Sequence, residues 1–189
     1  MTATTEPTPR ARLVRAAAEL SYRQGVGVGV EALCKAAGVS KRSMYQLFTS
    51  KDELLAAALR SRAEDYRGAL MPAAGDPRPP REQVLHVFRR LEQMSAEPEY
   101  RGCPFLSAQI ELKDGEHPAS VVAGAVKRTL VDFFLEQARE GGAERPELLA
   151  RQLMLVFDGA SSRAGVGADT MDGLAVPTAA ALLDAAGVR

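Results

Sequence analysis

The chain has 189 residues, of which 46% are hydrophobic and 25% charged, and its 24 basic and 24 acidic side chains leave a formal net charge of zero. That length accommodates one large core or a small head on a larger body, and no apolar run is long enough to span a membrane. Cys34 and Cys103 are far apart, make no disulfide framework and form no metal-ligand set with His86 and His117, so a cytoplasmic chain without a cofactor is expected.

Residues 1–9 are polar and rich in Pro and Thr, lack the apolar stretch of a signal peptide, and read as a disordered arm. A glycine-alternating run, Gly25-Val26-Gly27-Val28-Gly29, precedes a helix that carries Cys34 on its inner side as a packing residue. That helix ends at Ala36-Ala37, where Gly38 supplies the left-handed turn that stops it without steric cost. Ser40 can cap the next helix, about 41 to 47, by accepting from its free N–H groups. Helical spacing turns Met44, Leu47 and Phe48 to one side, and Lys41, Arg42, Ser43, Tyr45 and Gln46 largely to the other. Seven residues at about 1.5 Å rise give roughly 10 Å of helix, which fits a major groove about 12 Å wide. The pattern is that of a DNA-reading helix-turn-helix.

The segment from Arg12 to Leu55 resembles the N-terminal domain of the tetracycline-repressor (TetR) family of bacterial transcriptional regulators. The resemblance rests on Ala16, Ala17, Leu20, Gly25, Val30, Leu33, Ala37-Gly38-Val39-Ser40, Tyr45, Phe48, Lys51 and Leu54-Leu55. It implies an all-α homodimer with a DNA-binding head and a larger ligand-responsive C-terminal domain. Two places depart from the family pattern. Gly29 stands where Ser or Thr usually opens the second helix, so a capping hydroxyl is missing. Arg42 stands where a small residue is common, and adds charge and reach at the groove.

On this reading Lys41, Arg42 and Ser43 touch bases or their surroundings, and Ser40, Tyr45, Gln46 and Lys51 complete the DNA surface, with phosphates fixing the register. Arg10 and Arg12 stand where an arm would meet the DNA backbone or minor groove; the alternative is a solvated tail. Charge is distributed to match. Residues 1–60 carry nine Lys and Arg against five Asp and Glu, whereas residues 61–189 carry fifteen against nineteen. A basic head on an acidic body concentrates positive potential where phosphates would sit.

Helical periodicity continues to the C-terminus, with no strand pattern. A connecting helix is expected over 51–70, then a Pro-rich loop over 71–80. Further helices follow over 81–95, 105–112, 118–140, 147–162 and 175–187, with Pro118 and Pro146 as openers. The fold class is all-α, about nine helices, comprising an N-terminal helix-turn-helix DNA-binding domain and a C-terminal helical ligand-binding and dimerisation domain. The chain divides into an arm at 1–9, a helix-turn-helix domain at 10–50, a connecting helix at 51–70, and a ligand-binding and dimerisation domain at 71–189. The last two long helices hold more small and apolar residues than one buried face needs, which suits a two-fold interface between copies.

The expected function is that of a homodimeric repressor on a palindromic DNA operator, released by an unknown small-molecule effector, with no membrane partner. Candidate effector contacts are Tyr66, Phe88, Met94, Cys103, Phe105, Gln109, Phe133, Phe134 and Phe157, with His86 and Asp158 as polar groups; each is also a natural core or surface residue. The alternative is a regulator governed by a thiol or a partner protein, in which Cys103, just before a helix and near Arg101, would be the reactive group. Catalysis would need Cys103, His86 and Asp158 to act together, and nothing in their spacing supports that.

Overall fold

The computed structural model describes residues 7–189. Among them run nine helices and no strand: α1 (Pro9–Gln24), α2 (Val30–Ala37), α3 (Lys41–Leu47), α4 (Lys51–Leu70), α5 (Pro80–Ser95), α6 (Pro104–Leu112), α7 (Pro118–Glu140), α8 (Pro146–Gly165) and α9 (Ala175–Ala185). Five of these open on proline, whose missing N–H costs nothing in a first turn and whose φ is already helical. For α5 and α6 the helix begins one residue before the expected 81 and 105, because the proline is its first residue rather than the loop's last. Residues 1–6 of the expected arm lie outside the described residues. At Thr8 the chain is already ordered for a helix, its hydroxyl accepting from Ala11 N–H at 3.2 Å.

Two compact units result. One is made of the described part of Met1–Ala63 together with Ala108–Gly124, the other of Glu64–Ser107 with Ala125–Arg189. The first unit is therefore larger than the contiguous head that the sequence suggests, since the end of α6 and the start of α7 join it.

The first unit is built on α1, whose Leu13, Ala16 and Ala17 meet Leu33, Cys34 and Ala37 of α2. Met44 and Phe48 from the α3 region and Leu54, Ala57 and Ala58 of α4 close the core. Small residues dominate it, so the helices approach closely. Burial raises the Cys34 thiol above its ordinary value, as befits a packing residue.

In the second unit α5, α8 and α9 pack together around Phe88, Leu91, Leu149, Leu153, Phe157, Ala179 and Leu183, with Phe134 supplied by α7. Phe88 lies against Phe134 at a centroid separation of 5.8 Å and meets Phe157 edge-on at 6.4 Å. Gly165 ends α8 where the chain before α6 crosses it: a Cβ there would lie 2.6 Å from the Arg101 carbonyl carbon. Only glycine fits that crossing. No helix among the described residues is long and apolar enough to cross a membrane.

Candidate functional site

The end of α2 sets the geometry of the first unit's exposed face. Gly38 takes φ 61° and ψ 39°, the left-handed conformation, and its N–H closes the last turn of α2 on the Cys34 and Lys35 carbonyls. The chain then reverses through Val39, and Ser40 caps α3 by accepting from Ser43 N–H at 3.0 Å. The two hydroxyls of Ser40 and Ser43 lie 2.9 Å apart. Ser40 thus spends its oxygen on the helix, and Ser43 shares its own. At the start of α2, Gly29 offers no side-chain cap, as its lack of a hydroxyl requires.

In α3, Met44 is wholly buried and anchors the helix. Lys41, Arg42, Tyr45 and Gln46 are exposed and Ser43 is half-buried, so none of the five shares the burial of the anchor. Neither Lys41 nor Arg42 makes an ion pair with a described residue. Leu47 departs from expectation. It is 37% exposed, not packed away with Met44. Phe48, extended and directly after α3, keeps its expected buried place and is only 2% exposed.

The start of α4 is fixed by a reciprocal cap. Ser50 Oγ accepts from Glu53 N–H at 3.1 Å, while Glu53 Oε2 accepts from Thr49 N–H at 2.7 Å and from its hydroxyl at 2.8 Å. Those two bonds favour the ionised carboxylate and hold Glu53 below the ordinary glutamate range. Lys51, half-buried, is the first residue of the helix so capped.

Two contacts with the stretch Ala108–Gly124 were not foreseen. Glu111 Oε2 accepts from Val26 N–H at 2.8 Å, in the turn where Gly25 adopts φ 86°. His117 accepts from Ala119 N–H through Nδ1 at 3.1 Å, capping α7, and its Nε2 stands 3.3 Å from Asp52 Oδ1 in the first turn of α4. With Nδ1 accepting, the Nε2 edge of the ring is the one turned toward Asp52. Neither pair is visible in a local sequence pattern, since 85 residues separate Val26 from Glu111.

The start of α1 borders the same face. Arg10 lays its guanidinium over the Phe48 ring, 4.9 Å from the centroid. Arg12 donates through Nε to the Ala37 carbonyl at 3.0 Å and through Nη1 to the Pro7 carbonyl at 3.3 Å. Between these residues and α3 runs a groove of about 400 Å³, lined by Thr8, Pro9, Arg10, Arg12, Gly38, Val39, Ser40, Ser43, Gln46 and Leu47. No carboxylate lines it.

The effector candidates fall differently. Phe88, Phe105, Phe134 and Phe157 are fully buried and packed on other rings. Phe133 lies 5.8 Å from Phe134, and Met94 is partly buried beside the same core. Tyr66 meets Phe105 edge-on at 5.1 Å; burial pushes its phenol well above the ordinary range, and the Cys103 side chain at its hydroxyl adds to the shift. Cys103 itself is 2% exposed. Asp158 pairs with Lys127, a residue the sequence did not single out, whose ammonium also lies 5.2 Å from the Phe157 ring centre. His86 Nδ1 accepts from Arg78 at 3.0 Å, and burial together with the Arg78 charge lowers its pKa. Gln109 belongs to the first unit, not to the one that holds the other ten. No group of three His, Cys, Asp or Glu able to hold a metal occurs among the described residues.

The profile described as "Bacterial regulatory proteins, tetR family" matches residues 13–58. Among solved structures, a Streptomyces avermitilis protein provisionally described as a TetR transcriptional regulator is 60% identical over 97% of this chain and 100% of its own, with a TM-score of 0.94. A TetR-family transcriptional regulator from Streptomyces coelicolor is 25% identical, covering 95% of this chain and 96% of its own, with a TM-score of 0.85. Escherichia coli NemR in its reduced form shares the fold at a TM-score of 0.74 and 22% identity, covering 95% of this chain and 97% of its own. No curated protein matches the chain.

Proposed function

The chain belongs to the tetR family of bacterial regulatory proteins and is a DNA-binding transcriptional regulator, and on that premise we propose that it is a cytoplasmic homodimeric repressor whose hold on a palindromic operator is released by a small molecule. The observation that carries the DNA half of this reading is the outer face of α3, where Lys41, Arg42, Tyr45 and Gln46 stand exposed on a helix anchored by Met44. Arg42 has the fork to pair bidentately with a guanine in the major groove. Tyr45, Gln46 and Lys51 serve phosphates and set the register. Ser40 acts mainly as the cap that presents α3, and Ser43 stands beside Lys41 and Arg42.

Dimerisation is supported by the apolar side chains that α8 and the segment after it expose. Leu155 is 75% exposed, Val166 79% and Leu174 45%. Three large apolar side chains left in water on one unit suit burial against a second copy, and a two-fold pair of heads matches a palindrome.

The effector contacts are proposed among Tyr66, Cys103, Phe105, Phe133, Phe157 and Asp158, where the Lys127–Asp158 pair supplies the polar end of an aromatic surrounding. Release requires only that the effector bind the DNA-incompetent state better; a tenfold loss of DNA affinity corresponds to about 1.4 kcal/mol of such preference. Catalysis is not proposed, because the three groups it would need have separate partners: Cys103 meets Tyr66, Asp158 meets Lys127 and His86 meets Arg78.

Selection of fragments from the organism's own genome by the full-length protein tests the core of this reading. Enrichment of sites sharing one inverted repeat is expected; enrichment of an unrepeated motif, or none, would sink the palindromic mode. A thermal-shift screen of metabolites, repeated with operator bound, then identifies the effector as the compound that stabilises the free protein and lowers DNA affinity.

A further inference from the structure

We infer that Arg10, at the start of α1, is a further DNA contact: it clamps a phosphate of the strand lying in the groove between α1 and α3. The inference rests on the DNA-binding reading of α3 and extends that surface to the start of α1.

Three observations carry it. First, the groove of about 400 Å³ is continuous with the reading face, because Ser43 and Gln46 of α3 form one wall and Thr8, Arg10 and Arg12 belong to the other. Its charged lining residues are both arginines, so the occupant that matches it is an anionic strand rather than an acidic or apolar chain. Second, the two arginines have different tasks. Arg12 is spent on structure, binding the Ala37 and Pro7 carbonyls and so tying the start of α1 to the end of α2. Arg10 donates to no described backbone or carboxylate group. Third, Arg10 is held in place from below: its guanidinium stacks 4.9 Å from the centre of the Phe48 ring, itself only 2% exposed. A stacked guanidinium keeps its N–H edge available to a phosphate while giving up little further rotamer freedom on binding. The Glu53 carboxyl, on which the Arg10 charge acts weakly, is already committed to Thr49.

The test uses the full-length protein and a random-sequence DNA duplex, since a phosphate contact is independent of sequence. Binding is measured across a salt series, where each phosphate neutralised adds about 0.9 to the steepness of log K against log salt. Arg10→Ala should reduce that slope by about one phosphate per bound protomer, as should Lys51→Ala, whereas Arg128→Ala, in the second unit, should leave it at the parent's value. Arg10→Met keeps an apolar stack on Phe48 without the charge, and thermal unfolding confirms that it folds. Its slope should match that of Arg10→Ala. A parent slope in Arg10→Met overturns the Arg10 contact, even where Arg10→Ala binds poorly, and leaves the DNA-binding reading standing if Lys51→Ala is flattened. A parent protein with no salt-dependent duplex binding overturns both.

Discussion

Arg42 and Met44 lie two positions apart in α3 and do opposite work. Met44 is fully buried and fixes the helix on the core of its unit, so the residues beside it inherit a fixed direction. Arg42 then has reach without freedom of position, which is what a bidentate base contact needs. Arg42→Ala should cost roughly 1–3 kcal/mol of operator affinity and relax the preference at one base pair per half-site. Equal binding of every operator variant by parent and mutant would refute the base-reading role. Gly38 matters at the same scale for a backbone reason. Its φ of 61° is strained for any residue with a Cβ, so Gly38→Ala should lower stability by about 1–2 kcal/mol in denaturant unfolding although space for the methyl is open. The Arg10 prediction belongs here too, since a single stacked guanidinium decides it.

Helix ends carry the next set of consequences. Ser40 caps α3, and Ser50 with Glu53 caps α4, so the two helices that would face DNA both start on side-chain caps. Ser40→Ala should cost about 1 kcal/mol of stability and weaken DNA binding through a frayed α3, even though the lost hydroxyl faces Ser43 and not a base. Acid stability follows from the loop before α5. Asp76 is held at about 2 by the side-chain bonds and backbone N–H of Arg78, against an ordinary value of 3.8. A depressed carboxyl stabilises the fold fully above its unfolded value and loses that contribution as pH falls through the folded one. The stability gap between parent and Asp76→Asn should therefore be constant near neutrality and close between about pH 4 and pH 2; a gap that widens in acid would contradict the assignment. The turn between α1 and α2 depends on an element far along the chain. With Glu111→Ala, hydrogen exchange at the Val26 amide should accelerate strongly while amides in the middle of α1 keep their protection.

For the molecule as a whole, the decisive quantities are a charge division and an exposed apolar surface. Nine basic against five acidic residues in the first 60, and fifteen against nineteen in the rest, would direct the electrostatic attraction of DNA to the part that carries α3. Dimerisation would convert two such heads into a reader of two half-sites. Leu155→Arg, on the exposed side of α8, should shift sedimentation from dimer to monomer and reduce operator affinity far more than random-duplex affinity. An unchanged dimer would move the interface elsewhere. The aromatic cluster in the second unit is a stability element before it is anything else: Phe157→Ala should cost about 3–5 kcal/mol, because the ring is wholly buried between Phe88 and the Lys127 ammonium.

The sequence alone determined whatever depends on local periodicity and special backbone positions. Nine helices could be read from spacing, Gly38 from the need for a left-handed turn, and Ser40 from the helix that follows it, because each signal lies within a turn or two of its effect. The family resemblance was legible for the same reason, resting on one contiguous stretch with fixed spacing. Tertiary structure decided the rest. Leu47 and Phe48 are both apolar neighbours, and only packing shows that Phe48 takes the core while Leu47 stays outside. The placement of Glu111 on the Val26 amide, of His117 between α7 and Asp52, and of Arg10 on Phe48 comes from segments brought together by burial of their helices, and a linear pattern holds no record of such meetings. The same reason explains Lys127, a lone cation in a helical pattern whose partner Asp158 lies 31 residues on. Period and propensity act along the chain, whereas charge pairing and capping between distant segments wait for the core to form.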